Sequence, residues 1–167
     1  MIGSGDVIQL SGRWTLGEQL GKGGFGRVFA ATAEDGTPAA AKLVPKEPGA
    51  SREMLFVDLA AVAGVVRNVV PVLDSGETDS HYVIVMPLAA ESLRDRFEAA
   101  GGPMPVEEAL AALTDVAAAL ADLDGRVVHR DLKPENVLLV DGAWCLADFG
   151  ISRYTEAATA TDSRHGD

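Results

Sequence analysis

Three glycines, Gly21, Gly23 and Gly26, enclose Lys22, Gly24 and Phe25 in a G-x-G-x-x-G run. Without Cβ atoms in the way, backbone amides at such a run can approach phosphate oxygens. The same spacing occurs in dinucleotide-binding folds and in plain turns. A dinucleotide fold needs a helix after the loop and an acid about twenty residues on. Here Arg27-Val28-Phe29-Ala30 reads as a strand, and 16 positions after Gly26 (42 − 26) stands Lys42. By itself, a lysine closing the run Ala39-Ala40-Ala41 is a surface residue at a strand end. Opposite a phosphate-cradling loop, its ammonium would instead hold α- and β-phosphate oxygens, with a carboxylate behind it. Glu53 is the candidate for that carboxylate, and Asp58, one methylene shorter, is the rival. Farther along, His129-Arg130-Asp131-Leu132-Lys133-Pro134-Glu135-Asn136 is followed 12 positions later (148 − 136) by Asp148-Phe149-Gly150. Eight specified letters arise by chance roughly once in 10¹⁰ positions.

The elements that must carry these residues are legible in outline. Residues 1–12 are polar and glycine-containing, and are expected to form a loose leader. Strands follow around Trp14-Thr15-Leu16 and Arg27–Ala30, with Asp35-Gly36 as a tight turn and a third strand over residues 38–44. Gly49-Ala50-Ser51 opens a helix to about residue 63, with Leu55, Leu59 and Val62 on one face. Residues 69–73 and 82–86 read as two further strands separated by a loop at 74–80. Pro105 with Glu107 and Glu108 marks a helix start. Val106, Leu110, Leu113, Ala117 and Leu120 then repeat at helical spacing, and Gly125 is the terminator. Residues 137–140 and 144–147 form a hairpin about Asp141-Gly142. The stretch 155–167, small and polar, is expected to be disordered.

Composition narrows the function classes. The chain has 167 residues, enough for one domain or two small lobes, and 47% are hydrophobic. With 14 basic and 25 acidic side chains the net charge is −11, which argues against a nucleic-acid partner. The single cysteine, Cys145, excludes an intramolecular disulfide and fits a reducing, cytoplasmic setting; it reads as a small buried hydrophobe. The first residues lack the basic and apolar regions of a signal peptide, and no apolar run approaches the ~18 residues of a membrane span.

Taken together, the glycine run, the strand lysine, the 129–136 segment and Asp148-Phe149-Gly150 resemble the eukaryotic-like protein kinases, in the family's order, over residues 13–153. Lys133 is similar to the serine/threonine form, and the alanine- and glycine-rich composition to bacterial members. The resemblance implies an α+β protein-kinase-like fold: a leader (1–12), a complete β-rich N-lobe with one helix (13–86), a hinge and partial helical C-lobe (87–154), and an activation segment (155–167). It implies transfer of a phosphoryl group from Mg-ATP to a serine or threonine hydroxyl of a protein substrate. Asp131 would accept the hydroxyl proton, Lys133 would neutralise the moving phosphoryl group, and Asn136 and Asp148 would hold Mg²⁺. Lys42 and Glu53 would form an ion pair. The base of ATP would lie between the lobes, with Met86 as gatekeeper, the backbone of Pro87 and Ala89 beside it, and Val28, Ala40 and Leu138 around the purine. His129 and Phe149 would belong to the family's internal packing spine.

Two features depart from the family pattern. The step from Lys42 to Glu53 is only 11 positions (53 − 42), and the chain ends at Asp167, inside the implied activation segment. Thr155, Thr159, Thr161 and Ser163 fall where activating phosphorylation would occur, with Arg130 as the phosphate partner. The expectation is a truncated kinase. The alternative is a nucleotide-binding or scaffolding module that does not transfer phosphate.

Overall fold

The computed structural model describes residues 2–23, 26–48, 66–125 and 128–148. Gly24, Phe25, the expected helix with Glu53 and Asp58, Phe149, Gly150 and the 155–167 stretch lie outside them. Contacts divide the chain into two units, whose described parts are residues 2–48 with 72–88 and residues 66–71 with 89–148. The architecture is α+β: an antiparallel six-stranded sheet in the first unit, and two helices with a two-stranded hairpin in the second.

In the first unit the strands are β1 (Val7–Gln9), β2 (Arg13–Gly23), β3 (Gly26–Ala33), β4 (Pro38–Pro45), β5 (Asp74–Glu77) and β6 (His81–Pro87), in the order β1-β2-β3-β4-β6-β5. Asp35-Gly36 turns between β3 and β4, with Gly36 at φ 87° and the Asp35 carboxylate accepting from Thr37 N–H. Central β4 is buried from Ala39 to Val44, which explains lettering that is apolar apart from Lys42. One sheet face buries Trp14, Leu16, Phe29, Ala31, Ala41, Leu43, Val83 and Val85 around Ile8, with Ile2 and Leu10 packed against them.

Residues 1–12 therefore are not a loose leader. Ile8 is a core residue, β1 pairs with β2, Gly5 N–H donates to Leu16 O, and Leu16 N–H donates to Asp6 O, each at 2.8 Å. A second correction concerns residues 69–73, read as a strand, and Asp74, read as loop. Pro71 has no N–H to give a ladder, and Val70 N–H instead donates to Leu146 O at 2.8 Å in the second unit. Pairing with β6 as a strand starts only at Asp74. The Asp74 carboxylate accepts from Gly12 N and Trp14 Nε1, each at 2.8 Å, so one side chain ties the start of β2 to β5 at the far end of the strand order.

The second unit contains α1 (Leu93–Ala100), α2 (Val106–Leu123), a single 3₁₀ turn (Pro134–Asn136) and the hairpin β7 (Val137–Val140) with β8 (Ala143–Leu146). Asp141 at φ 50° and Gly142 at φ 82° make the expected two-residue turn. Helix α1 was not anticipated; it starts at a capping box in which Ser92 and Asp95 satisfy each other's backbone N–H. Helix α2 begins just after Pro105, and Gly125, at φ 71°, follows its end, as the sequence indicates. Its buried face, however, is Ala112, Ala119 and Leu123, with Val116 partly buried, packed on Val137, Trp144 and Leu146. Val106, Leu110 and Leu113 are exposed. Alanines let the helix backbone come close to the hairpin, and Asp115 fixes the contact by accepting from Trp144 N–H at 2.9 Å. Among the described residues no helix is long and apolar enough to cross a membrane.

The Asp74 clasp yields a test. Replacing Asp74 with alanine leaves the Gly12 and Trp14 donors without their acceptor, and should lower stability by about 2–3 kcal/mol in urea unfolding. Burial raises the Asp74 pKa, but the hydrogen bonds from Trp14, Gly12 and Ser75 outweigh it and hold the carboxyl below its ordinary 3.8. A depressed carboxyl stabilises above its unfolded pKa, and that stability is lost as pH falls through the folded value. The gap between wild type and Asp74→Ala should therefore be full at pH 6 and narrow below about pH 4.

Candidate functional site

Register decides which side chains of the first unit share a face, because paired residues of an antiparallel ladder point the same way. Val28 pairs with Lys42 and Lys42 with Ile84; Ala30 pairs with Ala40 and Ala40 with Met86. Val28, Ala40, Lys42 and Met86 thus lie together on the face opposite the Phe29–Val85 core. Gly21 pairs with Val28 at the head of the same ladder. Lys42 is not at a strand end: it sits mid-strand in β4 and is only 5% exposed. Burying a lysine is costly unless its ammonium is engaged, so its position is a specific feature rather than surface decoration. Pro87 ends β6, opposite Ala39.

The glycines of the run differ in what they do. Gly26 has φ 137°, and a Cβ there would stand 2.2 Å from the carbonyl oxygen of Leu43. Gly26 is thus demanded by the sheet itself. A Cβ on Gly21 would meet nothing within 4 Å, and its backbone is not left-handed. Among the described residues, packing therefore gives no reason for glycine at position 21.

The second unit builds its polar centre on backbone hydrogen bonds. The 3₁₀ turn at Pro134–Asn136, closed by Asn136 N–H to Lys133 O at 2.9 Å, swings the Asn136 side chain back onto the preceding loop. Its Nδ2 donates to both the carbonyl oxygen and Oδ2 of Asp131, each at 2.9 Å. The ammonium of Lys133 meets the same Asp131 Oδ2 at 2.9 Å. Ala147 N–H donates to Asn136 O at 2.9 Å, so the residue before Asp148 is tied to the turn. The Nε2–H of buried His129 donates to Ala147 O at 2.7 Å, and Asp131 N–H reaches His129 Nδ1 at 3.3 Å. His129 thus bridges the 129–136 segment and the end of the hairpin through backbone. Arg130 and Asp148, at φ 66° and 68°, are held in left-handed conformations, a cost that the surrounding bonds must offset.

The electrostatics follow from this geometry. Burial raises the Asp131 pKa, but Lys133 and Asn136 more than compensate and keep the carboxylate ionised below its usual range. Lys133 is pushed up, first by its bond to Asp131, with Glu135 and Asp148 adding weaker attraction. Burial is the main influence on His129 and lowers its pKa despite the nearby Ala147 carbonyl and the Asp148 and Asp131 charges. Both acids are therefore close enough to act on the same imidazole and the same ammonium. Cys145 is buried and its thiol is pushed up by that burial, which makes it an inert hydrophobe as expected.

Of the residues singled out from sequence, one set (Gly21, Val28, Ala40, Lys42, Met86) belongs to one face of the sheet, and another (Asp131, Lys133, Asn136, Asp148) to one polar centre. Leu138 lies on β7, paired with Cys145 and bridged to Ser92. Ala89 precedes Ala90, whose N–H donates to Leu139 O at 2.9 Å. Gly24, Phe25 and Glu53 lie outside the described residues. Sequence reading assigned His129 only to packing; the bonds it makes with Ala147 and Asp131 add a positioning role for the loop.

Residues 14–167 match the protein kinase domain family. The chain is 35% identical over 167 residues to the serine/threonine-protein kinase pkn2 of Myxococcus xanthus, covering 93% of this chain and 20% of that protein. It is 36% identical over 160 residues to the serine/threonine-protein kinase PknH of Mycobacterium bovis, covering 89% and 26%. Serine/threonine-protein kinase 36 of Mus musculus is 34% identical over 142 residues, covering 81% and 11%. The chain thus spans about a quarter or less of the length of these relatives.

Two measurements test the geometry. Gly26→Ala should cost about 2 kcal/mol or more in chemical unfolding, from a strained φ and a backbone clash, whereas Gly21→Ala should stay within about 1 kcal/mol of wild type. For His129, a depressed pKa means the unfolded state takes up the proton first. Its contribution is complete above pH 6.5 and fades as pH falls from there toward the folded value. Nitrogen NMR should show His129 mainly as the neutral Nε2–H tautomer at pH 6.5, and a mainly cationic ring at that pH would contradict the assignment.

Proposed function

Because the chain belongs to the protein kinase family, we propose that it takes part in transfer of a phosphoryl group from ATP to a serine or threonine hydroxyl of a protein substrate. The observation that carries this reading is the shared Oδ2 of Asp131, which holds Lys133 and Asn136 in one fixed cluster beside Ala147 and Asp148. Phosphoryl transfer asks little covalent work of a protein; it asks for alignment and charge neutralisation. A carboxylate with a depressed pKa is a weak base. Asp131 therefore serves mainly to orient an attacking hydroxyl by accepting its hydrogen bond, and takes the proton only as the O–P bond forms. Lys133, already in contact with Asp131, brings positive charge to the phosphoryl group as it moves.

In the first unit, the amides near Gly21 would meet phosphate oxygens and Lys42 would hold them electrostatically. Val28, Ala40 and Met86 share one face of the sheet and would supply an apolar surface for the base. Pro87 offers a carbonyl but no N–H, so the base would be read through that carbonyl and the backbone of Ala89. Lys22, Gly23, Gly24 and Phe25 complete the proposed loop, and Glu53 is the proposed partner of Lys42.

Family members use Mg²⁺ with ATP, and the donor set fits that ion. Both Nδ2 bonds of Asn136 go to Asp131, which fixes the amide and leaves Oδ1 as its acceptor; with the Asp148 carboxylate this makes two hard oxygens. Among the described residues no group of three His, Cys, Asp or Glu is placed to hold a metal by itself, and Mg²⁺ characteristically takes one or two protein oxygens plus phosphates. When bound, the ion would neutralise charge on the triphosphate.

The test is nucleotide binding and transfer by this chain. Mg-ATP at 100 times its Kd should raise stability by about 2.7 kcal/mol, and the gain should vanish in Lys42→Ala. Radiolabel from Mg-ATP should appear on the chain or on a serine/threonine peptide, and fall about 100-fold or more in Asp131→Asn. An unchanged melting point at saturating nucleotide would contradict binding. Equal label in both proteins would remove Asp131 from the chemistry.

A further inference from the structure

Arg27 directly follows Gly26 and pairs with Lys22, so it sits at the root of the glycine hairpin. Its side chain does not join Val28 and Lys42. The guanidinium lies on the opposite face, 5.4 Å from the centre of the Phe29 ring, and its Nη2 donates to the carbonyl oxygen of Ile2 at 3.0 Å. Ile2 belongs to a segment fastened elsewhere as well. Gly5 and Asp6 bond the backbone of Leu16, Ile8 is buried, and Gly12 N–H donates to Asp74. Leu10 presses on Gly76 so closely that a Cβ there would stand 2.9 Å from its Cδ2. The start of the chain is thus anchored at β2 and at β5, and Arg27 is its connection to the hairpin.

The geometry points to Arg27 as a positioning residue: with segment 2–12 as a fixed anchor, it sets the angle of the glycine hairpin and so the binding of the nucleotide's phosphates. This rests on the proposed nucleotide reading and adds a control point on the reverse side of the sheet. A guanidinium donating to a carbonyl while lying on an aromatic ring is held in two directions, so the hairpin root is fixed before a ligand binds. The Ile2 carbonyl belongs to the backbone, so what matters is the docking of the segment rather than the Ile2 side chain.

The experiment uses the 167-residue chain with Arg27→Met, which keeps length but removes the donor, Arg27→Lys, which keeps charge and one donor, and Gly76→Ala, which displaces Leu10. Dissociation constants for Mg-ATP and for adenosine are measured beside amide exchange at residues 19–22 and 27–29. In Arg27→Met, Mg-ATP should weaken on the order of tenfold with adenosine unchanged, exchange at the hairpin root should rise while residues 39–44 keep their protection, and Arg27→Lys should recover part of both. Gly76→Ala should shift Mg-ATP in the same direction. A general loss of stability would move ATP and adenosine together, so an unchanged ATP-to-adenosine ratio would overturn the inference. Unaltered root exchange in folded Arg27→Met would overturn it too, and so would unchanged Mg-ATP affinity in Gly76→Ala. If wild type binds neither adenosine nor ATP, the nucleotide reading fails, and the exchange data alone then decide whether Arg27 fixes the hairpin.

Discussion

One amide group organises the polar centre of the second unit. Asn136 spends both Nδ2 hydrogens on Asp131, one on its carbonyl and one on its carboxylate. That pair of hydrogen bonds requires the tight turn begun at Pro134, where proline's fixed φ costs nothing because its missing N–H is not needed. It also requires Asn136 to be buried, and its carbonyl is satisfied at the end of the hairpin, where Ala147 N–H donates to it. Turn, carboxylate and hairpin are therefore one structure: loosening any of them frees the others. His129 adds the closing link, since its neutral ring can donate from Nε2 and accept at Nδ1 at once, which an imidazolium could not do.

The sheet of the first unit solves a different problem. A central strand must bury both faces, yet one face has to present polar chemistry. Small residues answer this: Ala39, Ala40 and Ala41 fill β4 without bulk, and leave Lys42 as the long side chain on the face shared with Val28 and Met86. The opposite face takes the aromatics and branched aliphatics and is sealed by the segment before β2. The period of two along each strand thus separates the face of Lys42 from the face of the aromatic and branched core.

The sequence was most readable where local rules act alone. The turns at Asp35-Gly36 and Asp141-Gly142, the hairpin they imply and the start of the second helix depend on neighbours in the chain. It was least readable where distant partners decide. Asp74 looks like loop because its role is defined by Gly12 and Trp14, about sixty positions away. Ile8 lies in a short stretch of mixed lettering and becomes core only once β1 has a partner strand. Helix α2 misleads because alanine packs where leucine would be expected: the large residues give a clean helical stripe, but close packing on Trp144 and Leu146 selects Ala112 and Ala119. Helix α1 did carry a signal, Ser92 with Asp95 three positions on, which hydrophobic spacing passes over. The site residues were named by their lettering; their common face and their hydrogen bonds come from register and turn geometry.

In the proposed function, Asn136 and Asp148 would offer paired oxygens to Mg²⁺, with Asn136 held in place through Asp131 and Ala147. Paramagnetic Mn²⁺ in place of Mg²⁺ tests it most directly, on protein labelled so that the Asn136 side-chain amide and the Asp148 backbone amide are both observed. Trace Mn²⁺ with ATP should broaden these two signals first and together, ahead of the exposed acids Glu107 and Asp141. Broadening spread evenly over the surface acids, with Asn136 sharp, would contradict it.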